Sequence, residues 1–433
     1  MCYAIPGKVE KINKNSVILD YFGEKRKALN ELVEIKPGDY VYAQGGFVVN
    51  RISPSEAESI LATWKEMFFN LQEVDLKLSR LELGIENADK KLLDILDKAS
   101  RSEKLSRGEL LYLLELKEPA RAELFFKTAN FLRQKHFKNS CCVHGIIEIS
   151  NYCRQSCRYC GISGHNKKLR RYRMPKKEIF AAAREAVQTY GFKSLVLQSG
   201  EDSTYSVEDL ADIVREIKER LPTLVFISFG EIGLPGLEKL YQAGARGLLL
   251  RFESSNPEIY QTIRPGQKLE SRIAHLKKAY ELGYLILTGG LIGLPGQTNE
   301  DILNDILLAK ELRAEMFSFG PFLPHPNTPF AGIKAPSPED ALKVLALARL
   351  IDNSRAKILV TTALETLSEK SVKSALLCGA NSLMLNVTPL RYRPFYSLYP
   401  ARAHQSESIS SQIENVVTLL RSLGRAPTDL EAV

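Results

Sequence analysis

The run Gly145-Ile-Ile-Glu-Ile-Ser-Asn-Tyr-Cys-Arg-Gln-Ser-Cys-Arg-Tyr-Cys160 is an apolar segment of strand length that breaks off into three closely spaced cysteines. Its first half sets a rhythm that continues to the end of the chain. Apolar runs recur at Ser194–Gln198, Leu224–Ser228, Gly247–Arg251, Tyr284–Thr288, Met316–Phe319, Ile358–Thr361 and Ser382–Met384, each followed by an amphipathic stretch. Strand-length runs alternating with helical ones predict an α/β protein with a parallel (β/α)8 barrel of TIM type. In such barrels the chemistry lies at the carboxyl ends of the strands. The polar residues of this chain collect there: Gln198-Ser-Gly-Glu-Asp202, Ser228, Arg251-Phe-Glu253, Thr361-Thr362 and Met384-Leu-Asn386.

The second half of the run supplies the chemistry. Cys153, Cys157 and Cys160 have C-x3-C-x2-C spacing, and no fourth cysteine completes the set. Three such thiolates can hold one iron–sulfur cubane and leave one iron without a protein ligand. A structural zinc site normally takes four ligands in paired knuckles, and the candidates here, Cys141, Cys142 and His144, lie beyond a strand. Seven cysteines in 433 residues, with no secretion signal at Met1–Gly7, argue for a reducing, cytoplasmic setting rather than a disulfide framework. The open-cornered cubane is the signature of radical S-adenosylmethionine (SAM) enzymes. SAM carries an amine, a carboxylate, a ribose and an adenine. Glu201 suits the amine, Arg272 or Arg251 the carboxylate, Glu253 the ribose hydroxyls, and the ring of Tyr159 the adenine.

The 44% hydrophobic content can fill a large core, and no apolar run reaches the length of a membrane span. The formal charge is +8, much of it in Lys167, Lys168, Arg170, Arg171 and Arg173. With only Tyr172 interleaved, these read as a solvated face or an aid to anionic ligands rather than a nucleic-acid patch. His325, between prolines, and His404 read as hydrogen-bonding residues, and Cys141 and Cys142 as small buried residues near the barrel floor.

The amino-terminal part reads differently. Short apolar runs alternate with turns over residues 1–70, which predicts a small OB-like β-barrel, closed by a helix from Pro54 with Ser53 as its cap. Residues 71–103 are heavily charged and helical in pattern, as expected of a mobile connector. Residues 104–433 form the barrel unit.

From Asn151-Tyr-Cys to Gly161, through Arg171-Tyr-Arg-Met174, Leu197-Gln-Ser-Gly-Glu-Asp202, Leu250-Arg-Phe-Glu-Ser-Ser-Asn-Pro257 and Gly320-Pro-Phe-Leu-Pro-His-Pro326, the barrel unit closely resembles the HydE family. HydE proteins are radical SAM maturases of [FeFe]-hydrogenase, related to biotin synthase and methylornithine synthase. The resemblance implies one [4Fe–4S] cluster on Cys153, Cys157 and Cys160. It implies SAM held by Tyr159, Gln198, Ser199, Gly200, Glu201, Ser228, Glu253 and Arg272. It also implies an inner substrate cavity lined by Arg251, Thr361, Thr362, Met384 and Tyr396. The expected substrate is a cysteine-bound iron–carbonyl–cyanide complex, and an oxygen-labile cluster calls for anaerobic handling. Some HydE proteins bear a second cluster on cysteines near the carboxyl terminus. No cysteine follows Cys378 here and His404 stands near the first such position, so no second cluster is expected.

Residues 1–70 resemble the HypC family of [NiFe]-hydrogenase chaperones through Met1-Cys-Tyr-Ala-Ile-Pro-Gly-Lys-Val9, Pro37-Gly-Asp-Tyr-Val41 and Gly46-Phe-Val-Val49. The resemblance implies Cys2 as an iron ligand, with Gln44 where that family has its partner histidine. The fusion implies that the small domain carries or docks an iron fragment and tethers it at the barrel mouth. Expected partners are other hydrogenase-type maturation proteins or a donor or acceptor of the iron complex. Two alternatives stand beside this: a radical SAM mutase or thioether enzyme acting on an amino acid, and a non-catalytic iron–sulfur scaffold.

Overall fold

The computed structural model describes residues 5–31, 33–82 and 89–426. Cys2, the implied iron ligand, lies outside them. The first five strands are β1 (Gly7–Asn13), β2 (Ser16–Tyr21), β3 (Glu24–Leu29), β4 (Tyr40–Gln44) and β5 (Phe47–Ile52). They close a small barrel in the order β1-β2-β3-β5-β4, with Gly7 opposite Val41 at the seam. Inward residues alternate along the strands, so Val9, Val17, Leu19, Val41 and Val48 fill its core.

Helix α1 (Pro54–Leu78) begins as the sequence predicts, with Pro54 in its first turn and the Ser53 hydroxyl accepting from Glu56 N at 3.2 Å. It then runs through residue 70 without a break. Asp75, near its end, is buried and receives a bidentate pair from Arg133 at 2.8 Å and an ion pair from Arg425 at 3.1 Å. Helix α2 (Lys90–Ser100) buries Leu92, Ile95, Leu96 and Ala99, the i, i+3, i+4, i+7 face, in the main core. The expectation that the segment 71–103 is mobile is corrected. The described part of this segment is packed, and apart from buried Asp75 its charges lie mostly on outer faces. Helices α3 (Arg107–Leu114) and α4 (Pro119–Phe137) follow.

Each of the eight predicted strands is present. They are β6 (Cys142–Ser150), β7 (Ser194–Ser199), β8 (Leu224–Ser228), β9 (Ala245–Leu249), β10 (Leu285–Thr288), β12 (Met316–Phe317), β14 (Lys357–Ile358) and β15 (Ser382–Asn386). Two short strands, β11 (Leu291–Ile292) and β13 (Gly320–Pro321), pair separately above them. The parallel sheet runs β14-β12-β10-β9-β8-β7-β6-β15, and a bridge from Leu359 to Ser382 brings its edges together. The helices on its outer face are α5 (Lys176–Arg184), α6 (Val207–Arg220), α7 (Leu234–Gln242), α8 (Pro257–Ile263), α9 (Leu269–Leu282), α10 (Asn299–Glu311), α11 (Pro338–Ile351), α12 (Thr362–Leu367), α13 (Ser371–Leu377) and α14 (Ile409–Ser422). Side-chain alternation splits β6 between two layers. Val143, Ile147 and Ile149 face the helices, while Cys142 and Ile146 face the barrel interior with Val196, Phe226, Leu287 and Met316. No described helix is long and apolar enough to cross a membrane.

The small barrel sits against the floor of the large one, at the amino ends of its strands. Its β4–β5 turn presses into that end: a Cβ on Gly45 would lie 2.7 Å from Leu224, and Phe47 is buried among Cys142, Leu224 and Phe226. Arg246, at the start of β9, pairs with Glu31 at 3.1 Å. The expectation that the small domain presents cargo at the barrel mouth is therefore corrected, because its hydrophobic turn is buried at the opposite end. Beside that turn, burial and the neighbouring Lys357 push His144 down to about 3, so its ring stays neutral.

Candidate active site

At the carboxyl ends of the strands one cavity of ≈ 260 Å³ gathers the predicted residues. Cys153, Cys157 and Cys160 line it with Tyr159, Gln198, Ser199, Gly200, Glu201, Ser228, Glu253 and Arg272. Arg251, Thr361, Thr362, Met384 and Tyr396 line it too. Of the cluster, SAM and substrate residues that the resemblance implies, all line the cavity, while Cys2 lies outside the described residues.

The cysteine loop leaves β6 and is held from three sides. The Arg171 guanidinium donates to the carbonyls of Asn151, Ile162, Ser163 and Asn166 at 2.5 to 3.1 Å. His325 N donates to Tyr159 O and Gly161 N to Leu398 O, tying the loop to the strand-six and carboxyl-terminal segments. On the third side Gly200 lets the loop after β7 close on Tyr152 and Cys153, where a Cβ would collide, and Arg154 N donates to Glu201 O. Arg173 grips Asp202 at 2.6 and 2.9 Å and lies over the Tyr152 ring. The reading of the 167–173 basic run as a solvated face is thus corrected for Arg171 and Arg173, which brace the loop.

The three thiols are free, and burial raises all of them, with mutual repulsion adding to the effect for Cys157 and Cys160. Arg264, buried beside them, is lowered by burial, but the charges of Cys157, Tyr159 and Glu253 outweigh this and keep it cationic. Three thiols lining one cavity with a buried cation are a donor set that suits a cubane needing three protein ligands and carrying net negative charge, although the described side chains do not stand in a preformed metal-binding cluster. Beside them Glu201 lies 3.7 Å from both Arg264 and Arg272 and accepts from Gln155. Gly230, at φ +73°, makes room for the Glu201 side chain. Arg272 also donates to Glu231 Oε1 at 3.1 Å and to Arg251 O at 2.6 Å.

Glu253 sits in a left-handed backbone conformation, φ +70°, held by Glu253 N to Gly289 O and Leu291 N to Glu253 O. Its Oε2 is 3.2 Å from Arg251 but lacks hydrogen-bond geometry, which leaves a buried acceptor facing the cavity. Strain and an unsatisfied acceptor at one residue mark a place shaped for a ligand. Sequence reasoning gave no role to Arg264, Gln155, Tyr399 and Arg402, which line the cavity, or to Glu231, which backs it at the end of the third strand. Arg402 pairs with Glu148 at 2.5 Å, both buried, and donates to Tyr396 O at 3.3 Å. Glu148, in the middle of an apolar run at the head of the barrel, was the signal that a buried cation had to be nearby.

A radical SAM superfamily profile matches residues 147–309, and a HupF/HypC family profile matches residues 1–64. The [FeFe] hydrogenase maturase subunit HydE of Thermotoga maritima is 40% identical over 334 residues, 77% of this chain and 95% of that protein. The chain belongs to the HydE family. Like other HydE-family proteins it is a radical SAM enzyme, and membership implies a [4Fe–4S] cluster and SAM. The 3-methylornithine synthase of Methanosarcina acetivorans is 30% identical over 57% of this chain and 70% of its own length. A solved methylornithine synthase superposes with a TM-score of 0.69 at 26% identity, covering 77% of this chain and 97% of that one. The maturase HydG of Carboxydothermus hydrogenoformans, at a TM-score of 0.64 and 20% identity, shares the fold.

Proposed function

We propose that this HydE-family chain is a metallocofactor maturase. It cleaves SAM reductively and acts on a small, cysteine-bound iron–carbonyl–cyanide precursor during assembly of a hydrogenase-type active site. The observation that carries the reading is the single cavity. The three thiols, the Glu201, Glu253 and Arg272 set, and Arg251, Thr361, Thr362, Met384 and Tyr396 all line it. When bound, the cluster and SAM supply homolysis of a sulfur–carbon bond to a 5′-deoxyadenosyl radical. This chain's residues supply placement. Cys153, Cys157 and Cys160 ligate the cluster, Glu201 accepts from the SAM amine and Arg272 pairs with its carboxylate. Glu253 receives the ribose hydroxyls, and Tyr159 covers the adenine. Gln198, Ser199, Gly200 and Ser228 line the floor of that pocket. Arg251 and the threonine hydroxyls then orient the anionic precursor, and Tyr396, fully buried, excludes water.

The division into 1–70, 71–103 and 104–433 is part of this proposal, as are a single cluster, maturation proteins as partners and a reducing cytoplasm, which suits six described cysteines of which none is in a disulfide. Cys2 is the iron ligand of the small domain in this reading.

The test is anaerobic reconstitution, dithionite and SAM, with 5′-deoxyadenosine as the product measured. Wild type makes it and Cys157→Ala does not. Glu201→Gln raises the KM for SAM about tenfold or more, the loss of one charge-assisted hydrogen bond of ~1.5–3 kcal/mol. Carbonyl and cyanide infrared bands after loading with the precursor identify the substrate. A wild type that makes no 5′-deoxyadenosine leaves only the scaffold. The methylornithine synthase likeness favours a second reading, an amino-acid mutase whose substrate carboxylate meets Arg251, and product analysis with lysine separates the two.

A further inference from the structure

The interior of the barrel is polar in one place that the catalytic cavity does not use. Parallel barrels are normally filled with branched apolar side chains. Below the cavity this one instead carries Cys142 and His144, two residues apart on the inner face of β6 and both buried. Cys142 Sγ lies 2.8 Å from His144 Nε2. The other ring nitrogen, Nδ1, is 2.5 Å from Ser194 Oγ on β7, and the ring stands edge-on to Phe226 at 5.2 Å. The third member comes from the other barrel. Gln44, at the tip of β4, is buried and points its side-chain amide at Cys142 Sγ from 3.5 Å. Gly45 and Gly46, at φ +60° and +74°, let the turn bring it there.

We infer that Cys142, His144 and Gln44 form a second metal site, shared by the two barrels, for a single borderline divalent ion such as iron(II). A thiolate, a neutral imidazole and an amide carbonyl make a mixed S, N, O donor set suited to such an ion. Ser194 fixes the ring so that Nε2 faces the sulfur, as outer hydrogen bonds do for metal-bound histidines. Binding takes the thiol proton from Cys142 and releases it to solvent. The sulfur–nitrogen separation opens from 2.8 Å to about 3.6 Å for ligands of ~2.3 and ~2.1 Å in a tetrahedral site, which small side-chain rotations accommodate. The amide turns over to offer its oxygen. Because Gln44 belongs to the small barrel and the other two to the large one, the ion clips the barrels together. The site is separate from the cysteine loop and does not depend on the maturase reading.

The test uses full-length protein, with cobalt(II) as the spectroscopic probe under anaerobic conditions. Four preparations are compared: cluster-loaded wild type, the Cys153→Ala/Cys157→Ala/Cys160→Ala variant, Cys142→Ser and His144→Gln. The expected result is one cobalt with a thiolate charge-transfer band in the first two and at least a tenfold loss of affinity in the last two. Ser194→Ala weakens binding about tenfold. SAM cleavage by cluster-loaded Cys142→Ser stays at the wild-type level. Cobalt also raises the thermal midpoint of wild type, which needs no variant to fold. A charge-transfer band that disappears with the three loop cysteines and survives Cys142→Ser overturns the inference. So does the absence of both a band and a thermal shift in wild type.

Discussion

Asp305, on α10, accepts from Ser255 N at 2.5 Å and from Gln297 at 3.2 Å, just behind the strained Glu253. Burial raises its carboxyl from the ordinary 3.8 to about 7. Between those values the folded chain keeps a proton that the unfolded chain has lost, so stability falls as pH rises through that window and levels off above it. Asp305→Asn removes this slope: thermal midpoints followed from pH 5 to 8 should fall in wild type and run flatter in the variant. Arg171 acts through the opposite chemistry. Its guanidinium serves carbonyls that water would otherwise have to reach. Arg171→Ala strands these acceptors at ~1–3 kcal/mol each where they are buried, so the loop loses its shape. Iron and sulfide analysis after reconstitution should show most of the cluster lost. Cys153, Cys157 and Cys160 were legible from spacing alone, because neighbouring ligands must be close in sequence or be brought together. Arg171 was visible only as one charge in a basic run, since its acceptors are defined by the folded loop.

Among the elements, the strands of the large barrel were readable because each is an apolar run bounded by polar strand ends, a local pattern. Helices α1 and α2 were partly readable. The Ser53 cap and the Leu92, Ile95, Leu96, Ala99 stripe are local, but the partner of that stripe is not. The charges of residues 71–103 suggested a free connector, whereas Asp75 in fact anchors α1 between Arg133 and Arg425. Asp75→Ala leaves two buried guanidinium groups without their carboxylate, a cost of ~3–5 kcal/mol. Limited proteolysis should then cut between α1 and α2 at protease levels that wild type survives. Equal resistance in the two proteins would show that α1 is held by its apolar face alone.

For the molecule as a whole, the decisive fact is that the small barrel closes the floor of the large one while the cysteine loop opens at the other end. Gly45→Val tests that arrangement. The new side chain meets Leu224 and Leu285, and φ +60° is a poor conformation for a β-branched residue. Small-angle scattering should show an expanded particle. SAM cleavage should persist, since the site at the mouth has its own supports. The sequence by itself determined the barrel class, the three-cysteine loop and many of the residues that line the cavity, because periodicity, spacing and strand-end position are local properties of a chain. The tertiary structure alone decided that the two barrels meet floor to turn, that Arg264 and Arg402 join the cavity, and that Gln44 reaches Cys142. Those contacts join residues far apart in the chain, and their energy comes from burial, which no local pattern specifies.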